Sequence, residues 1–161
     1  MRVVVVSHSP IMPQKPGHLL FVTGEYPPMV GGVGDYTAEL GAALVACGWR
    51  VSVVTSIAAA QSSSGAPAPI TVYPTIRKWG WSMVGEVAKL ARANAVDLIH
   101  VQYQAGMYSG NFASNVAINA APLWWRWQGF PVAWTYHDLL MPYILPKAYP
   151  LRPWLRDLPA R

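Results

Sequence analysis

Short apolar runs alternate along the chain with segments in which apolar residues recur every three or four positions. The first run, Leu19–Gly24, has no polar alternation, which is typical of a strand buried on both faces of a parallel sheet. Similar runs predict further strands at Arg50–Thr55, Ile70–Ile76, Asp97–Gln102 and Pro131–Tyr136. Because Pro74 cannot donate a ladder hydrogen bond, the strand at Ile70–Ile76 should be short or lie at an edge.

Three segments between these runs have the periodicity of helices. The first helix is predicted to have an apolar face that consists of Tyr36, Leu40, Ala43, Leu44 and Cys47. Gly48 ends that helix. The second helix is predicted over Ser82–Asn94, with Ser82 as a candidate N-cap. The third apolar segment, Phe112–Trp127, is interrupted at Pro122.

The order of these elements predicts the fold class. Strand, helix, strand, strand, helix, strand, helix, strand is typical of an open parallel α/β sheet of Rossmann type, with helices on both faces. The predicted domain spans residues 18–146. Residues 1–17 are interpreted as a loose leader, although Val3–Val6 could instead form a first strand. Residues 147–161, rich in Pro and Arg, are interpreted as a tail.

Composition excludes several classes of protein. Of the 161 residues, 53% are hydrophobic and only 12% are charged, so the chain can bury a core and is not disordered as a whole. Its apolar runs are far shorter than the about 18 residues that a transmembrane helix needs. Cys47 alone cannot form an internal disulfide, which favours a reducing, cytoplasmic setting. The net charge of +5 permits anionic partners without identifying one.

Three glycines, Gly31, Gly32 and Gly34, stand at the predicted start of the first helix. Bare backbone amides and the positive end of the helix dipole favour an anion there, and a diphosphate would fit. Alternatively, the glycines only allow a tight turn and Asp35 only caps the helix. The segment lacks the G-x-G-x-x-G pattern that follows the first strand of dinucleotide-binding proteins, so we predict no nicotinamide or flavin cofactor.

His137 directly follows the last predicted strand and precedes Asp138. Ligands bind outside the carboxyl ends of the strands in such sheets, and a neutral imidazole can donate or accept a proton near neutral pH. His137 is therefore predicted to be catalytic, the alternative being a histidine satisfied by local backbone. His100 lies inside the fourth strand, where we expect a packed, hydrogen-bonded side chain.

The loop after the fourth strand offers groups that suit a sugar. Gln102 and Gln104 could hydrogen-bond hydroxyl groups, while Tyr103 and Tyr108 could stack on a sugar ring. With Asp138, which follows His137 after the fifth strand, the candidates for acceptor or sugar binding are Gln102, Tyr103, Gln104 and Asp138.

Other ligand classes have less support in the sequence. No metal site is predicted, because the four histidines lack ligand spacing and Cys47 is assigned to a buried helix face. The segment Trp124–Trp127 could contact a membrane surface, but packing of its helix is the favoured interpretation. The basic tail lacks the aromatic residues that stack on bases, so no nucleic-acid partner is predicted.

Four groups of residues, taken together, resemble a known family. They are Phe21–Pro28 with Gly31–Tyr36, Gly48–Thr55, Asp97–Gln104 and Thr135–Asp138. In this order they resemble the amino-terminal domain of a GT-B glycosyltransferase of family 4. The resemblance implies a retaining enzyme that transfers a sugar from a nucleotide-sugar donor to an acceptor, without a metal, in a cleft between two Rossmann-like domains. It also implies that Gly31, Gly32 and Gly34 approach the donor's phosphates and that His137 contacts the transferred sugar.

The second domain of that family has no counterpart before Arg161. We therefore expect an acceptor-side domain that is inactive alone and needs a carboxy-terminal domain or a partner chain. It would act in the cytoplasm, with peripheral contact at the inner face of the membrane as a further option. The alternative is a stand-alone module that binds an anionic or glycosylated ligand without catalysis.

Overall fold

The computed structural model describes residues 16–61, 69–104, 106–108 and 112–137. Its strands are β1 (His18–Val22), β2 (Arg50–Ser56), β3 (Thr71–Ile76), β4 (Leu98–Tyr103) and β5 (Val132–Tyr136). Its helices are α1 (Gly32–Ala46), α2 (Trp81–Ala93) and α3 (Phe112–Trp127), and a 3-10 turn follows β2 at Ile57–Gln61. All five predicted strands and three predicted helices are confirmed. Most of the predicted leader, all of its alternative strand Val3–Val6 and the predicted tail lie outside the described residues.

The five strands form one parallel sheet in the order β3-β2-β1-β4-β5. Pro74 is tolerated because β3 is an edge strand, as the sequence predicted. The chain winds outward from β1 in one direction and then from β4 in the other, so the strand order reverses between β1 and β4. Open α/β sheets bind ligands at such a reversal, outside the carboxyl ends of the strands. A ligand-binding site is therefore expected at the loops after β1 and β4.

Helices cover both faces of the sheet, which confirms the predicted Rossmann-like α/β class. On one face, α2 and α3 pack over a cluster that includes Val87, Ile118 and Trp125. The indole Nε1 of Trp125 donates to the Val84 carbonyl over 2.9 Å, which joins the two helices. On the other face, α1 packs with a smaller cluster that includes Phe21.

The buried face of α1 differs from the predicted one. Ala43 is exposed and so is Cys47, so the assignment of Cys47 to a buried face is wrong. The buried residues of the helix are Val33, Gly34, Thr37 and Gly41. A Cβ at Gly41 would lie 2.9 Å from Cδ1 of Ile70, so this helix packs through small residues. The prediction relied on large apolar residues and therefore did not identify a buried helix face that consists mostly of glycine and threonine.

Two other local expectations are corrected. Helix α2 is preceded by Gly80 as its N-cap and already includes Ser82, so Ser82 is not the cap. Helix α3 continues through Pro122 without ending there. Its Trp125 is buried as packing requires, whereas Trp124 and Trp127 are exposed. Among the described residues, no helix is long and apolar enough to span a membrane.

Candidate functional site

His137 is held at the end of the sheet by its backbone. Its N–H donates to the Tyr103 carbonyl over 2.8 Å, which extends the pairing of β5 with β4 by one residue. The imidazole Nε2 lies 2.7 Å from Oε1 of Gln102. The ring meets the Tyr36 ring of α1 edge to face, with centroids 4.9 Å apart. His137 therefore stands between α1 and the carboxyl end of β4, where the sequence predicted a cleft.

Partial burial sets the protonation state of this imidazole. Desolvation lowers the pKa of His137 below its usual 6.5, and the Glu25 carboxylate offsets part of that effect. The neutral form, which can donate at one nitrogen and accept at the other, therefore prevails near neutral pH. The catalytic role of His137 stays a prediction, and Asp138 lies outside the described residues.

A row of polar side chains runs from His137 across one face of β4 and β5. Gln102 lies opposite Thr135 in the register of the two strands. The Nε2 atom of His100 lies 2.8 Å from the Thr135 hydroxyl and 3.5 Å from the Gln102 amide nitrogen. His100 is thus packed and hydrogen-bonded, as predicted. Because side chains two residues apart share a face of a strand, His100 with Gln102 and Thr135 with His137 form one polar row.

The opposite face of the same strands is apolar. Tyr103 is only 5% exposed and packs against Tyr108, Trp134 and Tyr136. Tyr108 is fully buried and its hydroxyl donates to the Val22 carbonyl over 3.0 Å. Neither ring offers an open face, which argues against the predicted stacking on a sugar. The alternation of polar and apolar residues along β4 and β5 was the sequence signal from which the burial of Tyr103 could have been predicted.

Gln102 and Gln104 differ in their access to a ligand. The Gln102 side chain has no exposed surface, so its predicted contact with a sugar would require its surroundings to open. Gln104 is half-buried and lies just beyond the end of β4. Of the predicted sugar-binding residues in the described part of the chain, Gln104 is the one with a partly exposed side chain.

A carboxylate of the chain itself occupies the amides at the start of α1. Oε1 of Glu25 accepts from Val33 N over 3.0 Å and from Gly34 N over 3.1 Å. Glu25 therefore caps the helix, and the N-cap residue Gly31 makes no side-chain hydrogen bond. The sequence predicted an anion or a tight turn at these amides and gave no role to Glu25. An acidic residue before the Pro27–Pro28 turn was the only local sign of it.

The three glycines of this segment have different surroundings. A Cβ at Gly31 would overlap the Glu25 carboxylate, and a Cβ at Gly34 would lie 3.2 Å from the Tyr26 Cα. These two glycines therefore let the chain pass close to the helix start, as the tight-turn interpretation requires. A Cβ at Gly32 would meet nothing within 4 Å. The surroundings of Gly32 are therefore open, and the phosphate-binding role of the glycines stays a prediction.

A separate polar cluster lies at the other end of the sheet, where the strands begin. His18 Nε2 lies 2.8 Å from the Ser52 hydroxyl, and Arg50 donates to the Asn94 carbonyl over 2.6 Å. A surface cleft of about 690 Å³ opens beside His18, Arg50 and Asp97. Because this cleft lies at the amino ends of the strands, it is not where sheets of this type bind ligands. No group of three or more His, Cys, Asp or Glu side chains suited to a metal occurs in the described ranges.

Comparison with known proteins gives one family match. Residues 31–161 match the family described as glycosyl transferase 4-like domain, so the match includes the segment 147–161. No curated protein matches the chain significantly. Among solved structures, the crystal structure of the glycotransferase of kitacinnamycin is similar at 18% identity with a TM-score of 0.49, over 88% of this chain and 35% of that chain. This chain thus spans about a third of the length of that protein, and a likeness this distant supports no conclusion about activity.

Proposed function

Because this chain belongs to the family of glycosyl transferase 4-like domains, we propose that it is the amino-terminal, acceptor-side domain of a retaining glycosyltransferase with a nucleotide-sugar donor. The family match covers most of the chain, and the sheet with helices on both faces is the architecture of one half of a GT-B fold. The donor class and the retention of configuration rest on the family resemblance of the sequence motifs.

The observation that supports this proposal best is the neighbourhood of α1 and His137. Tyr36, in the first turns of α1, touches the His137 ring, so the helix start and the imidazole lie at the same edge of the sheet. The departing group in such a transfer is a diphosphate, which the amides and dipole at a helix start stabilise. A neutral imidazole beside it can bind a sugar hydroxyl. One edge of the sheet therefore bears both groups, although Glu25 occupies the Val33 and Gly34 amides in this structure.

The proposal requires groups beyond those that the described residues supply. Stabilisation of the leaving diphosphate is usually the largest contribution to catalysis in such a reaction, and the described residues supply only amides that Glu25 already occupies. We propose that a carboxy-terminal domain or a partner chain supplies the remaining donor contacts. The chain by itself should then show no sustained transfer from any nucleotide sugar.

The test uses a two-domain enzyme, in which this chain is joined to the donor domain of another member of its family. A panel of nucleotide sugars and acceptors is screened for a glycosylated product by mass spectrometry, and proton NMR gives the anomeric configuration. Transfer with retention supports the proposal, and inversion contradicts its stereochemical part. Binding of glycans by the chain, with no transfer by the two-domain enzyme, would favour a binding module instead.

A further inference from the structure

Gln102 is buried like a structural residue, but its side chain contacts His137 of the candidate site. Its side chain is fully buried near the end of β4, where a polar group needs hydrogen-bond partners. One partner is His137, whose Nε2 lies 2.7 Å from the amide oxygen. The other is His100, 3.5 Å from the amide nitrogen. Gln102 therefore connects an inner histidine to the histidine at the edge of the sheet.

The geometry of this contact selects one tautomer of His137. An amide oxygen accepts hydrogen bonds and cannot donate them, so Nε2 of His137 must bear the proton. Neutral imidazole has a single N–H, so Nδ1 then holds the lone pair. Among the described residues, Nδ1 of His137 has no hydrogen-bond partner. The acceptor nitrogen is thus the one that no described residue occupies.

The other contact of the Gln102 amide is with His100. The Thr135 hydroxyl lies 2.8 Å from Nε2 of His100, on the same face of the sheet. The Phe21 ring lies against the His100 ring, with centroids 5.2 Å apart, and limits its movement. The amide nitrogen of Gln102 faces His100 and the amide oxygen faces His137. Burial keeps water from competing for these contacts.

We propose that Gln102 is a positioning residue that holds His137 in its Nε2-protonated tautomer and so presents Nδ1 as a hydrogen-bond acceptor at the carboxyl edge of the sheet. An acceptor nitrogen binds a hydroxyl group and repels the oxygens of a phosphate or a carboxylate. The group bound by His137 is therefore a hydroxyl of the sugar or of the acceptor. This last step rests on the proposed function, whereas the tautomer itself does not.

The tautomer can be measured directly on the 161-residue chain. In a sample labelled with ¹⁵N-histidine, magic-angle-spinning NMR distinguishes the protonated from the unprotonated ring nitrogen and also works on associated protein. The spectrum of His137→Asn identifies the signals of His137. At about pH 8, where the neutral form prevails, we expect the proton on Nε2. A proton on Nδ1 would overturn the proposal.

Two substitutions separate positioning from packing. Gln102→Met keeps the shape of the side chain and removes the acceptor, so His137 should become a mixture of both tautomers. Gln102→Glu keeps an acceptor and adds a charge, so the pKa of His137 should rise. Among the residues that the structure describes, the charged and titratable groups that face His137 are Glu25, His100 and Tyr36, and they are unchanged in both variants. An unchanged tautomer in the first variant, or an unchanged pKa in the second, would contradict the proposal.

Thr135→Val provides a matched control. It removes the hydroxyl beside His100 and leaves the contact between Gln102 and His137 in place. If Gln102→Met does not fold, Gln102→Glu and the wild-type spectrum still decide the question. In the two-domain enzyme, Gln102→Met should lower kcat about tenfold with a smaller change in KM, and Gln102→Glu should restore part of the loss. If that enzyme has no activity, the proposed function fails while the tautomer measurement remains valid.

Discussion

At the scale of single residues, the Glu25 side chain affects both the start of α1 and His137. Glu25 neutralises the start of α1, and its carboxylate also favours the charged form of His137. A carboxylate at a helix start stabilises a protein by about 0.3–1 kcal/mol. The same amides form the phosphate site in one of the two interpretations of the glycine segment. Glu25 and an incoming phosphate would therefore compete for them.

The substitution Glu25→Gln tests this competition. Glutamine can still accept from Val33 N and Gly34 N but lacks the charge that excludes a second anion. We expect tighter binding of inorganic pyrophosphate to the chain in isothermal titration calorimetry, together with a loss of stability of about 0.5 kcal/mol in urea unfolding. Glu39→Gln, on the exposed side of α1, is the matched control and should change neither. Unchanged or weaker pyrophosphate binding by Glu25→Gln would contradict the competition.

The two histidines of the polar row should respond differently to removal. In the two-domain enzyme, His137→Ala should lower turnover about tenfold or more, because it removes the imidazole at the edge of the sheet. His100→Ala should act mainly on stability, because His100 packs on Phe21 and binds Thr135 inside the fold. Steady-state kinetics and urea unfolding on both variants distinguish the two effects. Full turnover by a folded His137→Ala variant would make His137 a structural residue.

At the scale of elements, α1 begins where two backbone segments pass very close to each other. The backbone of Tyr26 lies against Gly34, and Tyr26 itself is fully buried. Its carbonyl accepts from Met29 N over 3.0 Å, so the turn between them is hydrogen-bonded as well. Neither segment can retreat easily, because Glu25 is bound to the amides of the same helix. Added volume at Gly34 would therefore meet backbone that cannot move readily.

A pair of glycine substitutions measures this intolerance. Gly34→Ala would bring a Cβ to within 3.2 Å of the Tyr26 Cα, so we expect a loss of stability of about 1–3 kcal/mol. Gly85→Ala, in α2, meets nothing within 4 Å and should gain about 0.5–1 kcal/mol from helix propensity alone. Denaturant unfolding of both variants gives the comparison. Equal gains in the two variants would mean that the start of α1 adjusts without cost.

At the scale of the whole molecule, histidine burial makes stability depend on pH. Burial lowers the pKa of His18, His100 and His137 below the usual value of 6.5, so the folded chain binds these protons less readily than the unfolded chain does. The contribution to stability is therefore complete above pH 6.5 and is lost as the pH falls below it. Arg50 adds to the effect on His18, while Asp97 and the Asn94 carbonyl oppose it.

We therefore expect lower stability at about pH 5.5 than at about pH 8 in urea unfolding. His100→Gln should reduce the difference between the two conditions, because it removes one of the three groups that take up protons on unfolding. The exposed substitution Lys89→Gln serves as a control that should leave the difference unchanged. Stability that is constant or increases towards acid would contradict the assignment.

An exposed apolar stripe on α3 predicts self-association. It consists of Phe112, Val116, Leu123, Trp124 and Trp127, which recur at helical spacing, and Leu123 and Trp127 are 74% and 77% exposed. Large exposed apolar patches usually mark contact surfaces. Sedimentation of the chain at micromolar concentration should show association that Leu123→Gln with Trp127→Gln reduces. Trp81→Gln, an exposed position on α2, is the control. A monodisperse wild-type monomer would contradict this prediction.

The sequence by itself determined the elements and their order. Buried strands read as short apolar runs, and Gly48 and Pro131 mark element ends, because both signals depend on neighbours along the chain. The position of His137 after β5 followed from the same local information. For this reason the Rossmann-like class and the edge of the sheet that bears the candidate site could be predicted without a structure.

Only the tertiary structure decided which side chains meet. The contact of Glu25 with the start of α1 depends on how the intervening turn folds back, and the burial of Tyr103 depends on which helices cover its face of the sheet. The buried face of α1 depends on close packing at Gly41, which no count of apolar residues registers. Side-chain contacts across a sheet join residues that are distant in sequence, as Gln102 and His137 are. Local patterns determine the secondary-structure elements and their order, whereas long-range packing determines the partners of each side chain.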